Sequence, residues 1–267
     1  LALLADHLGN DERALLLSEP FMKVVVADMD NDGSQDLVLG YKHPESVKVL
    51  VQYSAAEMSV PSTTYDFVAH GYGDVDGDGD VDAVAATSQA LYWVPAERSD
   101  ATAHGVPIAL PTWQFGDSAQ DLAVVDLDGD SDPDLVVSRD GQPPVWLENL
   151  GGLGNFGAGT VLAGALRSVG DVVVADVDGN GLVDIVVREL GSGSALQWFS
   201  QTSSGTFAGA AILAAASPRA SILTFTVADL DGAGLVDVVF LEDDGLIVNV
   251  TYVSADGGGG FSAPTVL

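Results

Sequence analysis

Five times along this chain an aspartate-rich loop follows a short apolar run. The copies begin at Asp28, Asp74, Asp126, Asp176 and Asp229, so consecutive loops start 46, 52, 50 and 53 residues apart. The fullest copy is Asp74-Val75-Asp76-Gly77-Asp78-Gly79-Asp80-Val81-Asp82, with carboxylates at alternate positions around two glycines. A period near fifty residues, filled with short β-type runs, selects a β-repeat array of the propeller-blade kind.

One repeat can be read in full over residues 171–213. Residues 172–175 form a first, buried strand, the loop follows, and 184–188, 195–199 and 206–213 form the second, third and fourth strands. The other repeats keep this order, and long helical periodicity is absent. The expected fold is therefore all-β, a single β-propeller domain over 1–267 with four-stranded antiparallel blades. Its divisions are a partial unit at 1–20 and blades at 21–66, 67–115, 116–166, 167–217 and 218–267, giving five complete blades and half of another. The chain starts without Met or a basic leader and reads as a mature or partial chain.

The loops fit a hard cation. Calcium takes six to eight oxygens, and an Asp-x-Asp-x-Asp-Gly-x-x-Asp loop delivers most of them from one turn. Side chains at positions one, three, five and nine are the expected ligands, with the backbone carbonyl of position seven. These are Asp28, Asp30, Asp32, Ser34 and Asp36 in the first loop, and Asp74, Asp76, Asp78, Asp80 and Asp82 in the second. The third offers Asp126, Asp128, Asp130, Asp132 and Asp134, and the fourth Asp176, Asp178, Asn180, Leu182 and Asp184. The fifth has Asp229, Asp231, Leu235 and Asp237, because Ala233 removes the fifth-position oxygen. Gly at position six suits a turn with positive φ, and Ser131 departs from it in the third loop. Four to five calcium sites are expected, the last being the weakest. Magnesium, which keeps its waters in tight octahedral geometry, suits such loops poorly.

The chain resembles the FG-GAP or VCBS repeat family, the calcium-loop blades of the integrin α β-propeller and of many secreted microbial and algal proteins. The resemblance rests on the five loops and on apolar leads such as Val24-Val25-Val26-Ala27-Asp28. It rests also on Phe156-Gly157-Ala158-Gly159 and Phe261-Ser262-Ala263-Pro264, which are similar to the family's phenylalanyl-glycyl and glycyl-alanyl-prolyl signatures. It implies adhesion, ligand recognition or scaffolding outside the cell, with metals that stabilise blade geometry.

Charge narrows the partners. Nine basic against 39 acidic residues give a formal charge of −30, which repels phosphate backbones and anionic membrane surfaces. Nucleic acid is excluded, and no apolar run approaches the roughly 20 residues of a membrane helix. Positions one, three, five and nine hold 18 of the 39 acids, so nearly half of the negative charge stands where cations can neutralise it. There is no cysteine, and calcium would replace disulfides as the staple. Such loops fill reliably where calcium is abundant, which favours an extracellular or cell-surface setting.

Other sites are less marked. Trp93, Trp146 and Trp198 all fall in third strands, where a ring can wedge between blades or, alternatively, stack on sugars. Trp113 lacks a counterpart in the other repeats and is the candidate ligand contact. Apolar and polar residues alternate over 246–253, which puts Asn249 and Thr251 together on a wet face and makes Asn249 a glycosylation acceptor. The histidines stand at unrelated positions, with His70 at a strand end. No nucleophile elbow or phosphate loop occurs. The expected function is a non-catalytic adhesion, recognition or structural module, able to self-associate through its half-unit into filaments, with an extracellular protein or glycan as ligand. The alternatives are a carbohydrate-binding lectin and a calcium-dependent polysaccharide-cleaving enzyme.

Overall fold

The computed structural model describes residues 21–27, 36–41, 47–51, 54–58, 67–87, 90–97, 100–104, 106–110, 119–164 and 169–267. The partial unit at 1–20, loop residues 28–35 and Trp113 lie outside these. Contacts divide the chain into two units, residues 1–118 with 148–158, and residues 119–147 with 159–267.

The first unit holds two antiparallel four-stranded sheets. One runs in order through Phe21–Ala27, Asp36–Tyr41, Val47–Val51 and Ser54–Met58, and the other through Phe67–Gly73, Asp82–Thr87, Leu91–Val94 and Ile108–Ala109. His70 lies within the strand Phe67–Gly73, not at its end. The second unit holds three more sheets with the same order. Their strands are Ala119–Val125, Asp134–Arg139, Gln142–Leu147 and Thr160–Val161; then Val169–Ala175, Asp184–Glu189, Ala195–Phe199 and Ala211–Ala215; then Ser221–Ala228, Asp237–Asp243, Val248–Ser254 and Thr265–Val266.

Each aspartate loop is the hairpin connection between first and second strands. The ninth aspartate always opens the second strand and pairs with the last residue of the first, as in Gly73↔Asp82, Val125↔Asp134, Ala175↔Asp184 and Ala228↔Asp237. The same register closes the first repeat at Ala27↔Asp36. Every first strand also carries a register shift near its start, for example between Ala119 and Asp121 and between Ile222 and Thr224. Such bulges increase local twist and bend the strand.

Packing in the second unit is sheet on sheet. Leu127, Val136 and Trp146 of the third repeat meet Val169, Ile185, Val187 and Phe199 of the fourth. Val177, Val186 and Trp198 of the fourth meet Phe225, Val238, Phe240 and Val253 of the fifth. Phe199 and Phe240 are among the largest fully enclosed side chains, each contributing about 1.5–3 kcal/mol by burial. Polar groups register the sheets. Asp121 Oδ2 accepts the N–H of Val172 at 3.1 Å, and Ser138 donates to the carbonyl of Gly170 at 2.5 Å. Arg188 forks onto Asp171 at 2.9 and 3.0 Å and donates to the carbonyl of Ile222 at 3.1 Å.

Three sequence expectations change here. The fourth strand of the fourth repeat is Ala211–Ala215, because Thr206–Phe207 turns back on Gln201–Ser203 in a separate small hairpin. Gly205 makes that turn at φ 63°, and a β-carbon there would lie 2.8 Å from the Trp146 ring. In the fifth repeat the third strand is Val248–Ser254, since the Asp244 carboxylate accepts the N–H groups of Leu246 and Ile247 and holds them in a turn. Asn249 and Thr251 do not share a wet face. Thr251 pairs with Phe240 and is 2% exposed, whereas Val248 and Val250 are 52% and 40% exposed. The alternation is real but inverted relative to solvent, and Asn249 is only partly exposed.

Candidate metal centres

The loops gather carboxylates because their backbone is wound around the first aspartate. Asp74 Oδ2 accepts the N–H of Gly79 at 3.0 Å, Asp126 Oδ2 that of Ser131 at 2.9 Å, Asp176 Oδ2 that of Gly181 at 2.8 Å, and Asp229 Oδ2 that of Gly234 at 3.0 Å. This winding requires left-handed residues at positions four and six. Gly77 and Gly79 have φ of 72° and 93°, and the other described loops repeat the pair. In the third loop position six is Ser131 at φ 77°, the one non-glycine in that region among the described residues.

Among the described residues four groups of acids result, each with ligand atoms within 4.8 Å of one another: Asp74, Asp76 and Asp78; Asp126, Asp128 and Asp130; Asp176, Asp178 and Asp184; Asp229, Asp231 and Asp237. Each could hold a metal ion. Oδ1 of Asp74 and Oδ2 of Asp80 are buried and accept no hydrogen bond. Burying bare carboxylate oxygens is costly unless a cation or donor meets them, so the second loop fits a bound metal. The loop pattern assigns Asp80 only a backbone carbonyl, and its buried, unmatched Oδ2 adds the side chain to the candidates beside the group of Asp74, Asp76 and Asp78. At position seven, the N–H groups of Asp80, Asp132 and Leu182 donate to the side chains of Asp78, Asp130 and Asn180. Leu235 lies against Gly179 of the preceding loop, where an added β-carbon would meet its Cδ2 at 2.5 Å. Side chains of the first loop, including Asp36, lie outside the description.

The ninth aspartates play a second part. Asp82, Asp134, Asp184 and Asp237 are 0–3% exposed. Their Oδ2 atoms accept the position-two N–H groups of Val75, Leu127, Val177 and Leu230 at 2.9–3.2 Å. Asp82 Oδ2 also accepts the indole N–H of Trp93, and Asp134 Oδ2 that of Trp146, both at 3.0 Å. Asp82 Oδ1 receives the N–H of Ala96 at 2.7 Å, and Asp184 Oδ1 that of Gln201 at 2.7 Å. Burial pushes Asp82 up to about 6 and raises Asp184. It is also the first cause of the raised Asp76 and Asp128, to which the negative charges of Asp78 and Asp130 add.

Each loop in the middle of the array is covered by the connection that follows the third strand of the next repeat. Asn149 donates its Nδ2 to the carbonyl of Val75 at 2.8 Å, and Gln201 its Nε2 to that of Leu127 at 2.5 Å. The Phe207 ring meets Trp146 edge-on at 6.3 Å, and Phe261 meets Trp198 at 5.2 Å. Trp146 and Trp198 are only 8% exposed, which leaves little ring face for a stacked sugar. Val75, Leu127 and Val177 are accordingly enclosed, whereas Leu230 of the last loop is 50% exposed. These covering amides escape a reading confined to the loops. A signal existed, because Asn149 and Gln201 each stand three residues after the third-strand Trp.

Models of known families agree with this anatomy. The FG-GAP-like repeat model matches residues 74–137, 126–187 and 176–240, more than half of the chain and each match beginning at a loop's first aspartate. The chain belongs to the FG-GAP-like repeat family. No curated protein matches it. Among solved structures, the Vibrio cholerae biofilm matrix protein Bap1 aligns at TM-score 0.50 and 14% identity, over 92% of this chain and 39% of that one. The Photorhabdus luminescens Tc holotoxin pore aligns at TM-score 0.48 and 17% identity, over 93% of this chain and 12% of that one. This FG-GAP-like array thus spans well under half the length of either protein.

Proposed function

We propose that this chain is a non-catalytic, calcium-stabilised β-propeller array that acts outside the cell as an adhesion or structural module. The observation that carries the reading is the placement of the acid groups at the junctions of consecutive repeats. The second and third groups sit on hairpins whose position-two carbonyls are held by Asn149 and Gln201, so an ion at either loop stiffens that contact. Calcium suits these oxygen-only groups, and a metal so placed acts on geometry. The five four-stranded sheets act as blades, and the ligand is an extracellular protein or glycan. Family membership and a fold likeness to a biofilm matrix protein support this setting.

The test is calorimetric titration of metal-stripped protein with calcium, with thermal melts of both forms. Four or five sites with dissociation constants of about 10⁻⁴–10⁻³ M, the range of extracellular modules, and a marked rise in melting temperature are expected. Absence of binding would overturn the metal reading. Labelled protein should then be retained on cells or matrix of its source in calcium and released by a chelator. Equal recovery in the wash under both conditions would overturn adhesion while leaving the metal reading intact.

A further inference from the structure

The segment 200–204 touches two loops at once. Gln201, 1% exposed, donates its backbone N–H to Asp184 Oδ1 at 2.7 Å in the fourth loop and its Nε2 to the carbonyl of Leu127 at 2.5 Å in the third. Its own carbonyl accepts Nδ2 of Asn180, the fifth residue of the fourth loop, at 2.9 Å. Ser200 donates to Asp178 Oδ2 at 2.9 Å, and Ser204 donates to the carbonyl of Asp128. Three acid or amide positions of the fourth loop and two backbone carbonyls of the third are thus tied to five consecutive residues.

We propose that Gln201 is a positioning residue that couples calcium binding in the third loop to calcium binding in the fourth. This rests on the calcium reading above. Leu127 lies between Asp126 and Asp128, so an ion that draws those carboxylates together also fixes the Leu127 peptide. The carbonyl of Leu127 holds the Gln201 carboxamide, and the Gln201 backbone holds Asp184 and Asn180. Ordering the third loop therefore removes part of the ordering cost at the fourth, and linkage makes the effect reciprocal. The last repeat provides an internal contrast. Ala255 stands three residues after Tyr252, in the register of Gln201 after Trp198, and has no side-chain donor to offer Val177.

The experiment follows backbone amide resonances of the intact chain during calcium titration, with Gly129 reporting the third loop and Gly181 the fourth. In the wild type, disabling the third loop by Asp128→Asn should weaken calcium binding at Gly181 by about five- to tenfold, a modest coupling. In a Gln201→Ala background the same lesion should change Gly181 less than twofold. Gln201→Met, which keeps the bulk and loses the donor, serves if the alanine variant does not fold. An Asp128→Asn effect at Gly181 that is absent in the wild type, or undiminished without the carboxamide, overturns the coupling. Wild-type resonances that do not respond to calcium at either glycine overturn the calcium reading itself.

Discussion

The indole N–H of Trp146 meets Oδ2 of Asp134 at 3.0 Å, on the same oxygen that receives the backbone N–H of Leu127 at 3.2 Å. A ring in the third strand therefore fixes a carboxylate at the end of the aspartate hairpin. Asp134 is fully enclosed, so the lost donor cannot be replaced by bulk water. Trp146→Phe keeps most of the apolar contact and removes the N–H. Its expected cost is about 1.5–3 kcal/mol, the range for a hydrogen bond to a charged group. Urea unfolding of the calcium-free variant checks it, and an unchanged midpoint would mean that the indole only fills space.

Much of this architecture is legible in the chain itself. Asp82, Asp134 and their counterparts mark the start of each second strand because a fixed loop length sets the hairpin register. What is not legible depends on neighbours. The exposed Val248 and Val250 and the enclosed Thr251 cannot be told apart by alternation, which gives two faces without saying which one another sheet covers. Gln201 and Asn149 are likewise ordinary polar residues until the following repeat folds back onto the preceding loop.

Ser131 holds φ 77°, where its counterparts Gly79, Gly181 and Gly234 sit at 93°, 86° and 85°. A side chain there costs roughly 1–2 kcal/mol, and glycine returns part of that through its freer unfolded state. Ser131→Gly should stabilise the protein by about 0.5–1 kcal/mol, since the N–H that reaches Asp126 is retained. Denaturant midpoints with and without calcium provide the measurement. A destabilised variant would show that the hydroxyl makes a contribution larger than the backbone strain.

Acidity should act in an unusual direction on the metal-stripped protein. Burial pushes Asp82 up to about 6, above the ordinary unfolded value near 3.9. Between about pH 4 and 6 the folded chain therefore holds a proton that the unfolded chain releases, and stability falls as pH rises through that window. Asp184, Asp76 and Asp128 are raised too and act with the same sign. Calcium favours the carboxylate form and should flatten or reverse the slope. Melts of stripped and calcium-saturated protein at pH 4.5 and 6.5 test this, and Asp82→Asn should reduce the slope of the stripped form. A stripped protein that gains stability over the same interval would contradict the assignment.

The last loop is poorer than the others in two respects. Ala233 supplies no oxygen where Asp78, Asp130 and Asn180 do, and Asp229 and Asp231 are exposed beside the uncovered Leu230. The backbone is nonetheless wound correctly, with the N–H of Ala233 donating to Asp231 Oδ1 at 2.8 Å and that of Gly234 to Asp229 Oδ2. Adding the missing carboxylate by Ala233→Asp should raise calcium affinity at this loop by about tenfold, since affinity follows the number of charged ligands. Without calcium the new charge stands next to Asp229 and Asp231 and should lower the melting temperature. With calcium the sign should reverse, because the ion neutralises the same charges. Paired melts distinguish this from a general surface effect, which would move both forms alike. A variant that melts lower in both conditions would show that the fifth loop does not bind calcium.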